Sequence, residues 1–488
     1  MTRTPGMDYD AVVVGAGPNG LAAAITLQRE GLSVLLLEAA NTVGGGARTA
    51  ELTEPGFYHD VCSAVHPLAV ASPFFTTLPL KEHGLEFIYP PASAAHPFDD
   101  GTAALLTRSL ADTAQHLGED ATPYRDLIDP VVRDWPEIAD HVLGPLRILD
   151  HPSKMIRFGL QALRSAKAIS KGFRTEKARG FWAGMAAHSI MPLSHTATAA
   201  IGLVLLATGH LRGWPIPKGG SQQIADALAS YFLSLGGKIE TGVRVKSLDQ
   251  LPSSRVVLFD VTPRQLLEIA GHKFTSIYKW QLKRYRYGPG VFKIDWALAG
   301  PIPFRSPACE QAGTVHIGGT FNEIAAAEHA AWAGHHAERP FVLLAQPSRF
   351  DDTRAPAGKH TAWAYCHVPH GSTVDMTIAV EAQVERFAPG FRDLIIARHT
   401  MNTADLEAYN ANYIGGDING GAFRVDQIFT RPALRRSPYR TSSGNLYICS
   451  SSTPPGGGVH GMCGYHAAMR ALRDFFVPGN IILESKKH

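Results

Sequence analysis

The hydrophobic pattern near the amino-terminal end of the chain predicts a strand, a helix and a second strand. An apolar run from Asp10 to Gly15 is typical of a strand buried on both faces of a parallel sheet. Residues Leu21–Glu30 have the composition of a helix, and Ser33–Leu37 forms a second apolar run that ends at Glu38. This order of elements indicates a compact β-α-β unit.

Similar patterns recur in two later parts of the chain. The strands and helices predicted there cover Ser221–Leu235, Lys238–Glu240, Arg255–Asp260, Asn445–Cys449 and about Gly464–Phe476. Because short apolar runs of this kind need cover on both faces, we expect the three separated parts to form one sheet.

The intervening regions have different patterns. Residues 122–211 are predicted to be mostly amphipathic helix broken by prolines, and residues 102–118 also have a helical pattern. From about residue 278 to residue 380, short β-like runs alternate with turns, which predicts an antiparallel sheet.

Composition and charge exclude several classes of protein. The chain has 488 residues, with 46 Lys and Arg against 43 Asp and Glu, and a formal net charge of +3. A charge this small gives no reason to expect a nucleic acid partner. The length is sufficient for a large core that needs no disulfide or metal support.

Cysteine usage and the absence of targeting patterns predict a cytoplasmic protein. The five cysteines are odd in number and scattered, so a reducing compartment is a simpler interpretation than a disulfide framework. No apolar segment precedes the first strand, and no run reaches ~18 apolar residues, so neither a secretory signal nor a membrane span is predicted.

The first strand and helix are joined by Gly15-x-Gly17-x-x-Gly20, and an acidic residue, Glu38, ends the next strand. In this context the motif is a dinucleotide-binding fingerprint. Gly15 permits the tight turn, Gly17 lets the backbone approach a pyrophosphate, and Gly20 lets the helix pack on the strand. The helix N-terminus would attract the phosphates, and Glu38 would accept hydrogen bonds from a ribose hydroxyl.

A second glycine-rich turn favours FAD over NAD. It contains Gly45, Gly46 and Arg48 and follows directly after the acidic residue. A long FAD molecule needs a second turn of this kind to pass its ribityl chain, and a cation near its pyrophosphate. Together with the first motif, the turn resembles the FAD-dependent amine oxidase and phytoene desaturase superfamily, which implies that FAD is the cofactor.

The carboxy-terminal segment extends the resemblance. Residues 445–468, with glycines at Gly456–Gly458, Gly461 and Gly464, are similar to the flavin-binding signature of phytoene-desaturase-like oxidoreductases. In that family this loop and the following helix close over the isoalloxazine ring. Residues 214–223 and 242–245 have weaker similarities, and the second implies a strand beside the adenine. Cys449 and its neighbours stand where amine oxidases usually have an acidic element, which favours the desaturase-like branch.

The resemblance implies an α/β fold in which a Rossmann-like FAD-binding domain of glutathione-reductase type is interleaved with an α+β substrate domain. We expect residues 1–70, 215–275 and 425–488 to form the FAD-binding domain. Residues 71–214 would supply a mostly helical part of the substrate domain, and residues 276–424 a mixed sheet. The predicted cofactor-binding residues are Gly15, Gly17, Pro18, Asn19, Gly20, Glu38, Ala39, Gly45, Gly46, Arg48, Val245, Thr262, Gly461, Met462 and Gly464.

The resemblance also implies an enzyme that dehydrogenates, desaturates or isomerises a C–C bond by hydride transfer to flavin. Its substrate would be apolar, with isoprenoid or polyene compounds as candidates. The alternatives are a flavin amine oxidase that acts on C–N bonds and a non-catalytic FAD-containing binding or assembly protein. With no second nucleotide fingerprint and no paired redox cysteines, the electron acceptor stays open between dioxygen, a quinone and a nicotinamide.

Two histidines are predicted catalytic bases. In a flavin dehydrogenase the cofactor accepts the hydride and a protein side chain can take a proton. His66 follows the Arg48 turn, and His460 lies within the carboxy-terminal loop. The alternative is that both bond backbone or pyrophosphate oxygens. No metal is predicted, because the histidines near His335 lack carboxylate or cysteine partners at ligand spacing.

Residues 151–179 are rich in Lys and Arg, with apolar residues interleaved. A basic amphipathic helix can lie on an anionic membrane surface, which would suit uptake of a lipid-phase substrate. The alternative interpretation is the solvated face of an ordinary helix over a core. We therefore expect a cytoplasmic protein, with peripheral membrane contact through this segment as one of the two interpretations.

Overall fold

The computed structural model describes residues 6–476. Its strands are β1 (Tyr9–Val14), β2 (Val34–Leu37), β3 (Thr49–Glu51), β4 (Tyr58–Asp60), β5 (Phe87–Ile88), β6 (Ala92–Pro97), β7 (Ala103–Leu106), β8 (Ile216–Pro217), β9 (Lys238–Glu240), β10 (Ser254–Phe259), β11 (Gly290–Leu298), β12 (Ala312–Ile317), β13 (Val342–Ala345), β14 (His360–Val368), β15 (Ile395–Met401) and β16 (Leu446–Ile448).

The helices alternate with these strands along the chain and cover the sheets. They are α1 (Pro18–Arg29), α2 (Pro67–Val70), α3 (Leu110–His116), α4 (Ala121–Val142), α5 (Pro152–Ala162), α6 (Ala166–Ser170), α7 (Glu176–Ala187), α8 (Thr198–Arg212), α9 (Gln222–Ser234), α10 (Pro263–Ala270), α11 (Ser276–Lys283), α12 (Phe321–Ala333), α13 (Thr377–Phe387), α14 (Thr403–Tyr409), α15 (Val425–Ile428) and α16 (Met462–Phe475).

A five-stranded parallel sheet has the order β16-β10-β1-β2-β9. Its central strand β1 is apolar from Ala11 to Val14 because both of its faces are covered. Val13 packs in the cluster that includes α1, α9 and α16, whereas Val12 packs in the cluster that includes α10 and α11. The prediction that three separated parts of the chain form one Rossmann-like sheet is confirmed, and with it the α/β fold class.

A second, mixed sheet has seven strands in the order β15-β11-β14-β13-β12-β6-β7. Its pairs are antiparallel except for β12 and β6, which are parallel. One face packs against α13 around Phe387, and the other contributes Leu343 and Tyr365 to the core shared with the parallel sheet. The sheet therefore combines strands from residues 276–424 with two strands from the region predicted to be mostly helical.

Three local predictions were wrong. Residues 242–245, expected to form a strand, lie outside any strand between β9 and β10, and Gly242 has a φ of +72° that interrupts an extended backbone. Residues 103–106 form strand β7 and not the start of a helix, because pairing with β6 and full burial outweigh the helix propensity of an Ala-Ala-Leu-Leu run. Helix α4 continues through Pro130 and Pro136, although prolines were expected to break the helices there. Its buried side chains, which include Ile128 and Trp135, pack in the main core and offset the missing backbone hydrogen bonds.

The basic stretch 151–179 is divided among α5, α6 and the start of α7. Some of its cations are paired, for example Lys154 with Glu137 at 2.6 Å, while Ile156 and Leu160 are exposed. Within residues 6–476, no helix is both long and apolar enough to cross a bilayer. Peripheral membrane contact through this stretch stays a prediction, as does the division of the chain into two domains.

Helices α1 and α16 approach each other more closely than any side chain would permit. A Cβ atom on Gly464 would lie 1.8 Å from the carbonyl oxygen of Asn19, and one on Gly461 would lie 2.9 Å from the Cβ of Ala22 in α1. Gly461 also has a φ of +67°, which favours glycine. The two glycines therefore set the distance between the carboxy-terminal helix and the helix of the nucleotide fingerprint.

We expect Gly464→Ala to lower the free energy of unfolding by about 1–3 kcal/mol, because the new methyl group forces α16 away from α1. Chemical denaturation followed by circular dichroism measures this change. The matched control is Gly159→Ala in α5, where a Cβ would meet nothing within 4 Å. That control should leave stability unchanged or raise it by up to about 1 kcal/mol, and equal effects of the two substitutions would contradict the packing account.

Candidate functional site

One cavity joins the two glycine-rich turns to the layer between α8 and the mixed sheet. Its volume is about 340 Å³. We call one part the nucleotide end, which is lined by Gly17, Pro18, Asn19, Gly45, Gly46 and Asp260. We call the other part the chamber, whose apolar wall consists of Ile201, Val204, Leu205, Trp214, Leu343 and Tyr365.

The first glycine turn has the geometry that the fingerprint predicts. Gly15 has a φ of +100°, and a Cβ on Gly20 would lie 1.9 Å from the carbonyl oxygen of Gly15. Gly17 and Asn19 line the cavity at the N-terminus of α1, where free N–H groups and the helix dipole favour an anion. Among the described residues, the side-chain oxygen of Asn19 has no hydrogen-bond partner, so it is available to a ligand hydroxyl.

The second glycine turn lies directly against the first. A Cβ on Gly45 would be 3.0 Å from the Cα of Gly17, and a Cβ on Gly46 would be 2.0 Å from the hydroxyl oxygen of Tyr413. Tyr409 donates a hydrogen bond from its hydroxyl to the carbonyl oxygen of Gly45, at 2.9 Å. Two turns that are distant in sequence thus form one continuous backbone surface along the cavity.

Arg48 and Glu38 stabilise these turns. The Arg48 guanidinium donates to the carbonyl oxygens of Thr42, Val43 and Gly45 at 2.7–3.3 Å and lies 3.4 Å from the Glu38 carboxylate. Glu38 accepts hydrogen bonds from two backbone N–H groups, one of them that of Ala16 at 2.8 Å. Arg48 therefore shapes the turn, and the predicted contacts of Arg48 with a pyrophosphate and of Glu38 with a ribose stay predictions.

Asp260 is a residue of the nucleotide end that the sequence analysis missed. It follows β10, and its carboxylate accepts a hydrogen bond from the Gly20 N–H at 2.9 Å. Burial raises its pKa to about 7; the Glu38 charge acts in the same direction, and the Gly20 hydrogen bond opposes it. The sequence shows Asp260 only as an acidic residue at the end of an apolar strand. Its place at the nucleotide end follows from the pairing of β10 with β1.

Several other predicted cofactor residues are not among those that line the cavity. Gly461, Met462 and Gly464 form the start of α16, and Thr262 is fully buried before α10. Val245 packs in the core beside β2, and Ala39 lies in the turn after β2. Thr262 reaches the wall indirectly, because its N–H donates to the side chain of Asn412, which lines the cavity. The predicted contacts of this group with a cofactor stay predictions.

The carboxy-terminal loop contributes Gly457 and Gly458 to the cavity wall, beside Arg431. The Arg431 guanidinium donates to the carbonyl oxygens of Ser451 and Ser452, the shorter distance being 2.7 Å. The sequence offered no signal for this buried cation, since Arg431 belongs to none of the motifs.

His66 lines the cavity where the nucleotide end meets the chamber. Its Nε2 lies 2.7 Å from the Ser221 hydroxyl, whose own hydrogen is donated to the carbonyl oxygen of Ser63 at 2.6 Å. Nε2 must therefore donate, which leaves the lone pair of the neutral ring on Nδ1. Burial lowers the pKa of His66 to about 4, and the Asp60 charge only partly opposes this.

His460, the other predicted base, is not among the residues that line the cavity. Its Nδ1 accepts a hydrogen bond from the Met462 N–H at 3.0 Å, and its carbonyl oxygen accepts one from the Ser72 hydroxyl at 2.7 Å. Burial lowers its pKa to about 4. The contacts agree with the alternative that the sequence left open, in which this histidine bonds the backbone.

The residues at the nucleotide end fit FAD. A Cβ on Gly17 would lie 2.9 Å from the Asp260 carboxylate, so the backbone there is bare, as close approach of a pyrophosphate requires. The cavity then continues past the second turn to the carboxy-terminal loop, as a cofactor longer than a mononucleotide needs. Residues 6–476 contain no cluster of three or more potential metal ligands.

Comparison with known proteins gives consistent results. The profile of the family described as flavin containing amine oxidoreductase matches residues 19–269. A rat protein named pyridine nucleotide-disulfide oxidoreductase domain-containing protein 2 is 27% identical, over 96% of this chain and 94% of its own length. A phytoene desaturase (lycopene-forming) of a Paracoccus strain is 23% identical, over 93% of this chain and 95% of its own length.

Solved structures show the same fold at low sequence identity. An oxidoreductase from Methanosarcina mazei superimposes with a TM-score of 0.62 at 15% identity, over 95% of this chain and 99% of that one. Putrescine oxidase bound to putrescine superimposes with a TM-score of 0.60 at 16% identity, over 95% and 97% of the two chains.

We expect the affinity for FAD to fall as the pH rises through about 7, by up to about tenfold per pH unit. The Asp260 carboxyl is neutral below its pKa and charged above it, and the charged form repels the pyrophosphate. Asp260→Asn should remove this slope. Titration of apoprotein with FAD between about pH 6 and about pH 9 measures the pH dependence of the affinity in the wild-type protein and in the variant.

The matched control is Asp10→Asn. Asp10 is also buried, but it lies at the opposite end of β1 and bonds Ser33. This variant should keep the slope of the wild-type protein. A wild-type affinity that does not change over this pH range would show that Asp260 does not face the pyrophosphate.

Proposed function

This chain belongs to the flavin-containing amine oxidoreductase family and has FAD as its cofactor, and from that premise we propose that it oxidises a C–C bond in a substrate with an apolar body. The observation that carries the proposal is the single cavity that joins the FAD turns to the chamber. A substrate in the chamber would share one cavity with a cofactor held by the glycine turns, and the apolar walls of the chamber would exclude water.

The charges along the cavity favour a C–C bond over a C–N bond. Of the residues that line it, Asp260 and Arg431 carry charged side chains, and they lie at the nucleotide end and at the carboxy-terminal loop. An ammonium group in the chamber would therefore have no carboxylate beside it, and burial of an unpaired charge is costly. The likeness to putrescine oxidase concerns the fold and does not outweigh this argument from charge. Amine oxidation is therefore the second candidate for the reaction.

The chain supplies orientation and a proton acceptor. FAD, when bound, accepts the hydride from the substrate. The neighbouring carbon loses a proton as the double bond forms, and we assign the role of acceptor to Nδ1 of His66, which lines the cavity. Because its pKa is about 4, the ring is neutral and able to accept a proton at physiological pH. Ser221 fixes the tautomer by accepting the Nε2–H.

We expect His66→Gln to slow reduction of the flavin by substrate about 10²–10⁴-fold, since a general base contributes that much, while FAD content stays unchanged. In the wild-type protein the rate should fall below about pH 4, where the ring becomes protonated. Stopped-flow absorbance under nitrogen measures both. His83→Gln is the control, because His83 also bonds a serine but does so at the surface. A base role is contradicted if both variants react at the wild-type rate.

The proposed reaction is tested by anaerobic bleaching of the flavin against polyenes, acyl chains, steroids and amines. We expect bleaching by one of the apolar classes and none by amines. Bleaching by amines alone would support C–N oxidation, and product formation with no electron acceptor consumed would indicate isomerisation. No response to any compound or chemical reductant would favour a structural FAD. Reoxidation by dioxygen, a quinone or a nicotinamide then identifies the acceptor.

A further inference from the structure

The chamber contains polar atoms that the described part of the chain does not satisfy. Ser189 Oγ, Thr314 Oγ1 and Trp363 Nε1 are buried and have no hydrogen-bond partner among residues 6–476. The three residues are 2%, 1% and 5% exposed, and all three line the cavity. They share the chamber with apolar side chains. A wholly apolar substrate would not account for these three polar groups, because it offers them no hydrogen bond.

The strand register places two of these atoms on one face of the mixed sheet. Thr314 on β12 pairs with Ala345 on β13, and Ala345 pairs with Trp363 on β14. Residues opposite each other on neighbouring strands point to the same face. Ala345, which lies between them, is small and also lines the cavity, so it leaves space between the hydroxyl and the indole.

Ser189 comes from the opposite side, immediately after α7. Its neighbour His188 ends that helix, with Nε2 lying 2.9 Å from Nε2 of His316, on the same sheet face two residues beyond Thr314. A Cβ on Gly184 would lie 2.9 Å from the His316 ring, so α7 is held close to the sheet. Helix end and sheet therefore present their polar groups to the same part of the chamber.

Unsatisfied buried polar atoms are rare in folded proteins. Each one lowers the equilibrium constant for folding or binding by about tenfold or more. Three of them around one cavity, two from the sheet and one from the end of α7, indicate a partner that comes from outside the chain. The indole N–H of Trp363 can only donate, so the partner must accept. Hydroxyl groups such as those of Ser189 and Thr314 can donate to the same atom.

We propose that the substrate carries an oxygen acceptor, such as a carbonyl or ether oxygen, that binds between Ser189, Thr314 and Trp363. This inference rests on the proposed function and narrows it. The substrate class is an apolar molecule with one oxygen function, and a plain hydrocarbon would leave all three polar groups unpaired. The oxygen fixes the orientation of the apolar body relative to the flavin and so determines which C–C bond reacts.

The test compares two probes with the same carbon skeleton, butyrophenone and butylbenzene, which differ by one carbonyl oxygen. Each is titrated into the FAD-loaded protein, with binding followed by the flavin absorbance band and by calorimetry. We expect butyrophenone to bind at least about tenfold more tightly. Thr314→Val and Ser189→Ala should each weaken butyrophenone about three- to tenfold and leave butylbenzene unchanged or tighter.

Thr361→Val is the matched control. Thr361 Oγ1 is also buried and lacks a partner among the described residues, but Thr361 does not line the cavity. This variant should bind both probes as the wild-type protein does. Any of three results overturns the proposal: equal affinity for butyrophenone and butylbenzene, equal weakening of both probes by the variants, or no binding of either probe. Equal affinity is the result expected if the three polar groups hold water.

The titration detects binding without turnover, so it separates the two proposals. A ketone preference that depends on Thr314, together with a flavin that no panel compound reduces, would contradict the proposed reaction alone. Flavin reduction by hydrocarbons, with no preference for the ketone, would contradict the oxygen subsite alone.

Discussion

Close contact between backbones around the N-terminus of α1 is the constraint on which the rest of this structure depends. Gly20 lies against the carbonyl of Gly15, Gly464 lies against the carbonyl of Asn19, and Gly45 touches Gly17. No side chain fits at any of these contacts. Three distant parts of the chain are therefore held together at one point, and what faces the cavity there is backbone N–H and the positive end of a helix dipole. Such a surface favours a phosphate group and needs no cationic side chain to do so.

The two ends of the cavity differ in polarity. At the nucleotide end, donors come from the backbone, and Asp260 adds an acidic group whose pKa burial raises to about 7. In the chamber, apolar side chains dominate, and each unpaired polar atom carries more weight because the local dielectric is low. His66 lies at the junction and is neutral, so it can accept a proton there without placing a charge in the chamber beforehand. In the proposed function, cofactor binding, proton transfer and substrate recognition would thus use different physical interactions within one continuous space.

Most of the parallel sheet could be predicted because each of its strands is recognisable from its own short stretch of sequence. β1 and β2 are short apolar runs next to glycine turns, and β10 carries the apolar run Val256–Phe259, a pattern with few other structural solutions. The prediction failed at residues 103–106, where an Ala-Ala-Leu-Leu run becomes strand β7 only because β6 lies beside it. Roles were also harder to predict than positions. The contact of Arg48 with a pyrophosphate stays a prediction, whereas the hydrogen bonds of its guanidinium to carbonyl oxygens of its own turn are seen only in the folded chain.

By itself, the sequence determined the fold class, the FAD turns and the family, since each depends on glycines and apolar residues at fixed spacing within short segments. It also identified His66 as a candidate base. Only the tertiary structure decided which of the two predicted histidines lines the cavity, that Asp260 faces the first glycine turn, and that Ser189 lines the same cavity as Thr314 and Trp363. These decisions depend on contacts between residues far apart in the chain. No local pattern encodes such contacts, because the pairing of strands and the packing of helices bring the side chains together only after the chain has folded.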